Sequence, residues 1–369
     1  MKASVLQDKL LSALKPMGAC VDKKPALPIL GCVKLETEDA QLKLTTTDLE
    51  VSMTTAIGAK VDVEGAALVP YRQLFDLIKA WPKGERVDIR AELGQVTFSN
   101  FDKSNVVVLD GFSPDDYPAH VDELWGDCTF SALVECQSFK RLIEGTTYAV
   151  AKEDNRPILK AVNMLFEHQK DTDWGNLSLA AADGYRIATG HVEAIGDNPV
   201  EMNVPVKALN LLARVIGKKE RDVVTITASN ERAMFTYNRT SVIVSLMTGK
   251  FPDWQSIVPR YTSGTYNIVV KAADLLQRLE LAKSKLDMKQ SAVRLEVNGA
   301  FALTVKDFRA EVPASIEGEV SVPVNNTYLA DILKHSGETV TFYGMGAANP
   351  IVADDGFTTA VVMPMSDSR

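Results

Sequence analysis

The chain is poor in the residues from which most enzyme sites are assembled. Its 369 residues hold four cysteines and four histidines. Cys20, Cys32, Cys128 and Cys136 form no C-x-x-C pair and have no histidine at ligand spacing, which argues against a zinc site and a redox dithiol. They read as buried free thiols in a reducing cytoplasm. His120, His168, His191 and His335 are scattered with no H-x-x-x-H pair, so no metal is expected. A Gly-x-x-x-x-Gly-Lys-Ser/Thr phosphate cradle is missing, and so is a Gly-x-Ser-x-Gly nucleophile elbow. Gly344-Met-Gly346-Ala-Ala-Asn349 lacks the last glycine of the dinucleotide fingerprint and runs into Pro350 where a helix should start. No catalytic residue and no cofactor is expected. No apolar run reaches the length of a membrane span, so no membrane partner is expected either. The opening MKASVLQDKLLSALKPMG is interrupted by Gln7, Asp8 and Lys9, and reads as an amphipathic helix rather than a signal peptide.

The bulk composition is that of a globular protein, with 46% hydrophobic and 24% charged residues. The length suffices for two or three domains, each with its own core. Lys plus Arg number 40 against 48 for Asp plus Glu, a net charge of -8. That balance argues against a nonspecific nucleic-acid coat but leaves room for a local basic surface.

What the chain does contain is a repeat. Leu68 to Trp81 reads LVPYRQLFDLIKAW, Asn203 to Gly217 reads NVPVKALNLLARVIG, and Ser321 to Leu333 reads SVPVNNTYLADIL. Each Val-Pro leads into an apolar pattern of helical period, with the proline expected in the first helical turn. The proline spacings are 205 − 70 = 135 and 323 − 205 = 118, which points to three like units. In the first copy Leu74, Phe75, Ile78 and Trp81 pack, leaving Arg72, Asp76 and Lys79 outward. In the second, Val206, Leu209, Ala213 and Ile216 pack while Lys207, Asn210 and Arg214 form a polar stripe. The third, with Asn326, Thr327 and Lys334, is weakly basic.

Each unit is expected to begin with a helix, marked by Val5, Leu6, Leu10 and Leu14, by Phe139, Leu142 and Ile143, and by Leu275, Leu276, Leu279 and Ala282. Alternating segments such as Val223-Val-Thr-Ile-Thr-Ala228 then read as half-buried strands. The apolar pattern lapses after Ser113-Pro-Asp-Asp-Tyr-Pro118 and from Phe251 to Gly264, cutting the chain at 1–127, 128–259 and 260–369. The expected fold is α+β: three similar domains with few helices and many antiparallel strands, joined end to end.

Six motifs carry a resemblance. They are Lys24-Pro-Ala-Leu-Pro-Ile-Leu-Gly31, Thr46-Thr-Asp-Leu-Glu50, Ala182-Asp-Gly-Tyr-Arg-Ile187, Gly249-Lys-Phe-Pro-Asp-Trp254, Val324-Asn-Asn-Thr-Tyr328 and Val361-Val-Met-Pro-Met365. In this order along the chain they resemble the bacterial sliding-clamp family, the beta subunits of DNA polymerase III. The resemblance implies clamp domains with helices on one face and antiparallel sheets on the other, three per chain, forming half of a ring. Two chains would join head to tail around double-stranded DNA, held without regard to sequence. The implied DNA-facing residues are Lys24, Arg72, Lys79, Lys207, Arg214, Arg278 and Lys283.

The family also implies a pocket for short linear motifs, a glutamine followed by leucine and phenylalanine, from the polymerase III alpha subunit, the clamp loader, other polymerases and repair proteins. Carried over, its lining is Arg156, Leu159, Ala182, Gly184, Tyr185, Arg186, Ile187, Pro252, Ser256, Ile257, Asn325, Tyr328, Pro350, Val361, Val362, Met363, Pro364 and Met365, with Arg156, Arg186 and Asn325 as polar donors at the rim. Three features depart from the family pattern: Tyr185 where histidine is frequent, Ser256 in place of a basic residue, and a tail at Ser366-Asp-Ser-Arg369. Two other readings stand beside the clamp. A metal-dependent nuclease would use the pairs Asp115-Asp116 and Asp354-Asp355, which also suit plain turns, and a β-rich interaction scaffold would never meet DNA.

Overall fold

Ala3 and Val5 point into the core from the strand Lys2–Leu6, and helix α1 (Gln7–Met17) follows it without a gap. The structure, a computed structural model, describes residues 1–21, 25–92, 94–119, 121, 123, 127–153, 155–170, 172–217, 222–261, 264–286 and 292–365. The same step from strand to helix recurs at Phe130–Glu135 into α3 (Cys136–Thr146) and at Tyr266–Lys271 into α6 (Ala272–Ala282). A strand, not a helix, therefore opens each repeat. Val5 and Leu6 belong to that strand, with Val5 buried and Leu6 exposed, because strand alternation rather than helical period sets their faces.

The Val-Pro helices are α2 (Tyr71–Ala80), α4 (Val206–Val215) and α7 (Asn326–His335), and the short α5 (Trp254–Ile257) lies between α4 and α6. Their prolines do not occupy the first helical turn. Pro70 and Pro205 close the strands Gly65–Pro70 and Val200–Pro205, and Pro323 lies within Val320–Asn325. The fixed φ of proline suits an extended strand end as well as a helix start. Leu74 and Ile78 are buried on α2, and α2 packs on α1. On α4 the buried set is wider than one stripe, taking in Ala208, Leu211 and Leu212 as well as Leu209 and Ala213. Asn326 on α7 is buried rather than outward. Of the free cysteines, Cys20, Cys32 and Cys136 are buried but Cys128 is exposed. Burial pushes the Cys20 thiol up to about 12 and the Cys32 thiol up to about 11.

The chain packs as two compact units, Met1–Gln137 with Lys207–Leu246, and Ser138–Val206 with Met247–Arg369. In the first, antiparallel pairs run from Phe130–Glu135 through Val223–Ala228, Arg232–Tyr237, Thr240–Ser245, Val51–Gly58, Gln41–Thr47 and Cys32–Glu38 to Gly65–Pro70. A separate sheet orders Lys60–Val63, Lys2–Leu6, Arg86–Glu92, Gln95–Ser99 and Val106–Asp110. In the second unit the run passes from Val200–Pro205 through Ala161–His168, Trp174–Ala182, Arg186–Gly196, Thr358–Val362, Ile351–Asp354, Thr339–Gly344 and Tyr266–Lys271 to Ala314–Glu317. Strands Phe308–Glu311, Phe301–Val305, Ala292–Val297 and Val320–Asn325 form its other sheet.

Three hairpin turns share one design that their sequences conceal. Asp48, Asp183 and Asp355 each accept two backbone N–H bonds on Oδ1, from Glu50 and Val51 at 3.1 and 2.9 Å, from Tyr185 and Arg186 at 2.9 and 3.0 Å, and from Phe357 and Thr358 at 3.0 and 2.6 Å. The residue after each aspartate is left-handed: Leu49 at φ 75°, Gly184 at 95° and Gly356 at 79°. The second oxygen then takes a further partner: Lys207 on α4 for Asp48, the turn's own Arg186 side chain for Asp183, and the Gly337 N–H at 2.7 Å for Asp355. Leu49 alone bears a side chain at the left-handed position, at a cost of roughly 1–2 kcal/mol, and that side chain is 52% exposed. Leu49→Gly relieves this but adds chain entropy to the unfolded state, so a net gain of about 0.5 kcal/mol is expected. Urea unfolding checks it, and a loss of stability would mean that the leucine packs usefully.

Candidate functional site

Arg186 opens the strand Arg186–Gly196, and its side chain is only 3% exposed. Each of its three nitrogens donates one hydrogen bond: Nε to Asp183 Oδ2 at 3.0 Å, Nη1 to Asp331 Oδ2 at 2.9 Å, and Nη2 to the Tyr148 carbonyl at 2.9 Å. The Tyr328 and Tyr148 rings lie 4.3 and 5.4 Å from the guanidinium. Two carboxylates and two aromatic faces thus answer a charge that would be costly to bury alone. Expected as a rim donor, Arg186 is instead a buried side chain with every nitrogen bonded within the fold.

Beside it opens a cavity of about 250 Å³, lined by Arg156, Leu159, Ala182, Gly184, Tyr185, Arg186, Ile187, Pro252, Ile257, Tyr261, Val361 and Met363. Leu159 and Ala182 in its lining belong to a buried cluster with Ala180 and Phe251, against which Ile187 and Trp254 pack. One wall is the Gly184–Tyr185 turn, where Tyr185 is 65% exposed and its carbonyl accepts the Met363 N–H at 2.9 Å. The opposite wall is the arm from Gly249 to Ile257. Trp254 Nε1 anchors that arm on Asn163 Oδ1 at 2.9 Å, and Asn163 reaches Asn203, whose amide binds the Gly249 carbonyl at 3.0 Å. Val361 arrives on the strand Thr358–Val362, which pairs with Arg186–Gly196. The Arg156 side chain is exposed at the mouth.

A shallower depression of about 300 Å³ shares Tyr185 and Arg186 and adds Ala151, Lys152, Glu153, Thr327 and Tyr328. Other residues expected in the pocket serve elsewhere. Ser256 lies within α5, its N–H held at 3.2 Å by Oδ1 of the capping Asp253, and Asn325 caps α7, accepting from Thr327 at 2.8 Å. Val362 pairs with Ile351 next to Pro350, and the Met365 N–H binds the Pro323 carbonyl at 2.9 Å, which carries Pro364 and Met365 past the cavity. Ser366 to Arg369 lie outside the described residues. Sequence reasoning missed Tyr261, an aromatic within a stretch read as linker.

Of the basic residues singled out, Arg72 and Lys79 are exposed on α2, and Lys24 lies outside the described residues. Lys207 is ion-paired to Asp48, so its charge is answered within the fold. Arg214 borders a cavity of about 530 Å³ together with Lys15 and with Lys9, which the sequence reading took only as an interruption of an apolar run. Lys283 pairs with Glu280 at 2.6 Å, and Arg278 Nη1 donates to Gln277 at 2.8 Å. Among the described residues no group of His, Cys, Asp and Glu has metal-binding geometry, and no helix is long and apolar enough to cross a membrane. Asp354 and Asp355 shape their hairpin turn.

Comparison with known proteins gives a consistent result. Residues 1–122 match the family model of the DNA polymerase III beta subunit N-terminal domain, and residues 133–253 match that of its central domain. The beta sliding clamp of Pseudomonas aeruginosa is 28% identical over 99% of this chain and 100% of its own. That of Salmonella typhimurium is 27% identical with the same coverage. Among solved structures, the sliding clamp from Pseudomonas aeruginosa bound to griselimycin superposes with a TM-score of 0.89 at 25% identity, covering 99% of both chains. The Bacillus subtilis clamp shares the fold with a TM-score of 0.87 at 20% identity over the full length of both.

Proposed function

The chain belongs to the DNA polymerase III beta-subunit family, the sliding clamps, and on that premise we propose that two copies close head to tail into a ring around duplex DNA. The ring holds DNA without reading its sequence and tethers the replicative polymerase for processive synthesis. It performs no catalysis and works in the cytoplasm. Each copy contributes three domains, at 1–127, 128–259 and 260–369. The observation that carries this reading is the full-length likeness, in sequence and fold together, to proteins that are themselves clamps.

Further features support it. The terminal strand Val106–Asp110 of the first unit's five-stranded sheet exposes Val106 and Val108, an edge suited to a second chain. Exposed Arg72, Lys79 and Arg214 suit loose contact with phosphates, which a sliding ring needs in place of tight binding. The cavity at Gly184–Tyr185 is the proposed seat for linear motifs of the polymerase alpha subunit, the loader and repair proteins. An apolar lining with an exposed methionine at its edge suits a site that serves many partners.

The expected particle mass is twice 40.3 kDa, 2 × 40.3 = 80.6 kDa. After loading, it should stay on nicked circular DNA through a salt wash and run off the same DNA once linearised. A monomer at micromolar concentration, or equal retention on both DNA forms, would refute the ring. Cleavage of DNA in Mg²⁺ that disappears in Asp354→Ala would instead favour the nuclease.

A further inference from the structure

We propose that Asp331, on α7 and outside the cavity lining, is a positioning residue for the cavity's Gly184–Tyr185 turn. The proposal rests on reading that cavity as the linear-motif site.

Asp183 carries a double load. Its Oδ1 holds the N–H groups of Tyr185 and Arg186, and its Oδ2 faces Arg186 Nε. A single carboxylate that binds two backbone donors is poorly placed to balance a buried guanidinium as well. Asp331 supplies the second negative charge, at 2.9 Å from Nη1 and from 145 residues along the chain.

Geometry makes this more than charge balance. A guanidinium is a rigid planar fork, so fixing Nη1 and Nη2 also fixes the direction in which Nε points. Asp331 and the Tyr148 carbonyl hold the two outer nitrogens, which aims Nε at Asp183 and so sets the turn. One helical turn before Asp331, Tyr328 covers the guanidinium face, so a single helix both aligns and shields it. The turn in turn holds Met363 through the Tyr185 carbonyl. Both exposed residues at the cavity edge, Tyr185 and Met363, therefore hang on a carboxylate outside the cavity lining.

The other two hairpin turns lack this arrangement. Asp48 reaches Lys207 directly, and Asp355 reaches the Gly337 N–H and Arg141. Among the three turns, only the one at the cavity works through its own arginine and so depends on a second acid.

The test uses the full-length protein and a fluorescently labelled Gln-Leu-Ser-Leu-Phe peptide, with binding read by anisotropy well below the melting temperature. Asp331→Ala is expected to weaken binding about tenfold, and Asp331→Asn about threefold, because the amide keeps an oxygen acceptor without the charge. Hydrogen exchange at the Tyr185 and Arg186 amides should accelerate in the same order. Lys334→Ala, an exposed change on the same helix, should alter neither. Mere loss of global stability would lower the melting temperature while the folded molecules bound normally. If Asp331→Ala does not fold, the Asn variant decides. Binding within experimental error of wild type, or weakening with unchanged exchange at the turn, overturns the proposal. Ile257→Asp separates the two levels: if it too binds as wild type, the cavity reading fails, and if it alone weakens binding, only the role of Asp331 fails.

Discussion

Ile257→Asp is expected to weaken binding of a Gln-Leu-x-Leu-Phe peptide by about thirtyfold or more, with the circular dichroism spectrum unchanged. Ile257 lines the cavity together with the apolar Leu159, Ala182, Ile187 and Val361. A leucine or phenylalanine entering there would exchange water for apolar contact, and such anchors commonly carry ~2 kcal/mol or more of the binding energy. A carboxylate on the wall keeps its hydration shell only if the anchor stays out, and burying it unpaired costs more than the anchor returns. The side chain is only partly buried, so the fold should tolerate the change. A peptide affinity equal to wild type would place the motif site elsewhere.

Asp355→Ala is expected to cost about 3 kcal/mol of stability, because the N–H groups of Gly337, Phe357 and Thr358 lose their acceptor. The Asp355 side chain is 3% exposed and lies 3.5 Å from Arg141, whose guanidinium also covers the Phe357 ring at 4.1 Å. Burial pushes its pKa up, but the N–H groups of Thr358, Phe357 and Gly337, with Arg141, outweigh it and hold the carboxyl below its ordinary value. A depressed folded-state pKa means stabilisation that is whole above the unfolded value, near 3.9, and is lost as pH falls through the folded one. The gap in urea stability between wild type and Asp355→Asn should therefore be wide at pH 7 and shrink below about pH 4. A gap that stays constant with pH would mean that shape, not charge, matters at this turn.

Periodicity revealed the helices because ten or eleven residues allow a stripe to repeat, as Leu74 and Ile78 do on α2. It failed on Lys2–Leu6, where five residues alternate too briefly to be told from the helix that follows. The Val-Pro signal was sound as a repeat marker, but its position was misread, since proline's φ fits a strand end and a helix start alike. The cavity lining was legible through motifs clustered at Ala182–Ile187 and Gly249–Trp254. The roles of its polar residues were not. Arg186 looks like any surface arginine until Asp331 and Tyr328 arrive from α7, and no local pattern announces that meeting. Lys207 looked free for the same reason, its partner Asp48 lying 159 residues away. The likeness of the three hairpin turns was hidden because Leu49 stands where Gly184 and Gly356 reveal the left-handed backbone.

The burial of Arg186 also bears on the choice of small molecules for this cavity. A chemist seeing an arginine in the wall would be tempted to aim an acidic group at it, yet its outer nitrogens already serve Asp331 and Tyr148. An added anion there would meet Asp183 and Asp331 as like charges. Arg156, exposed at the mouth, is the cation on which a carboxylate or sulfonate substituent gains a salt bridge. The remaining portion of such a compound is best left uncharged and shaped to Leu159, Ile187 and Val361.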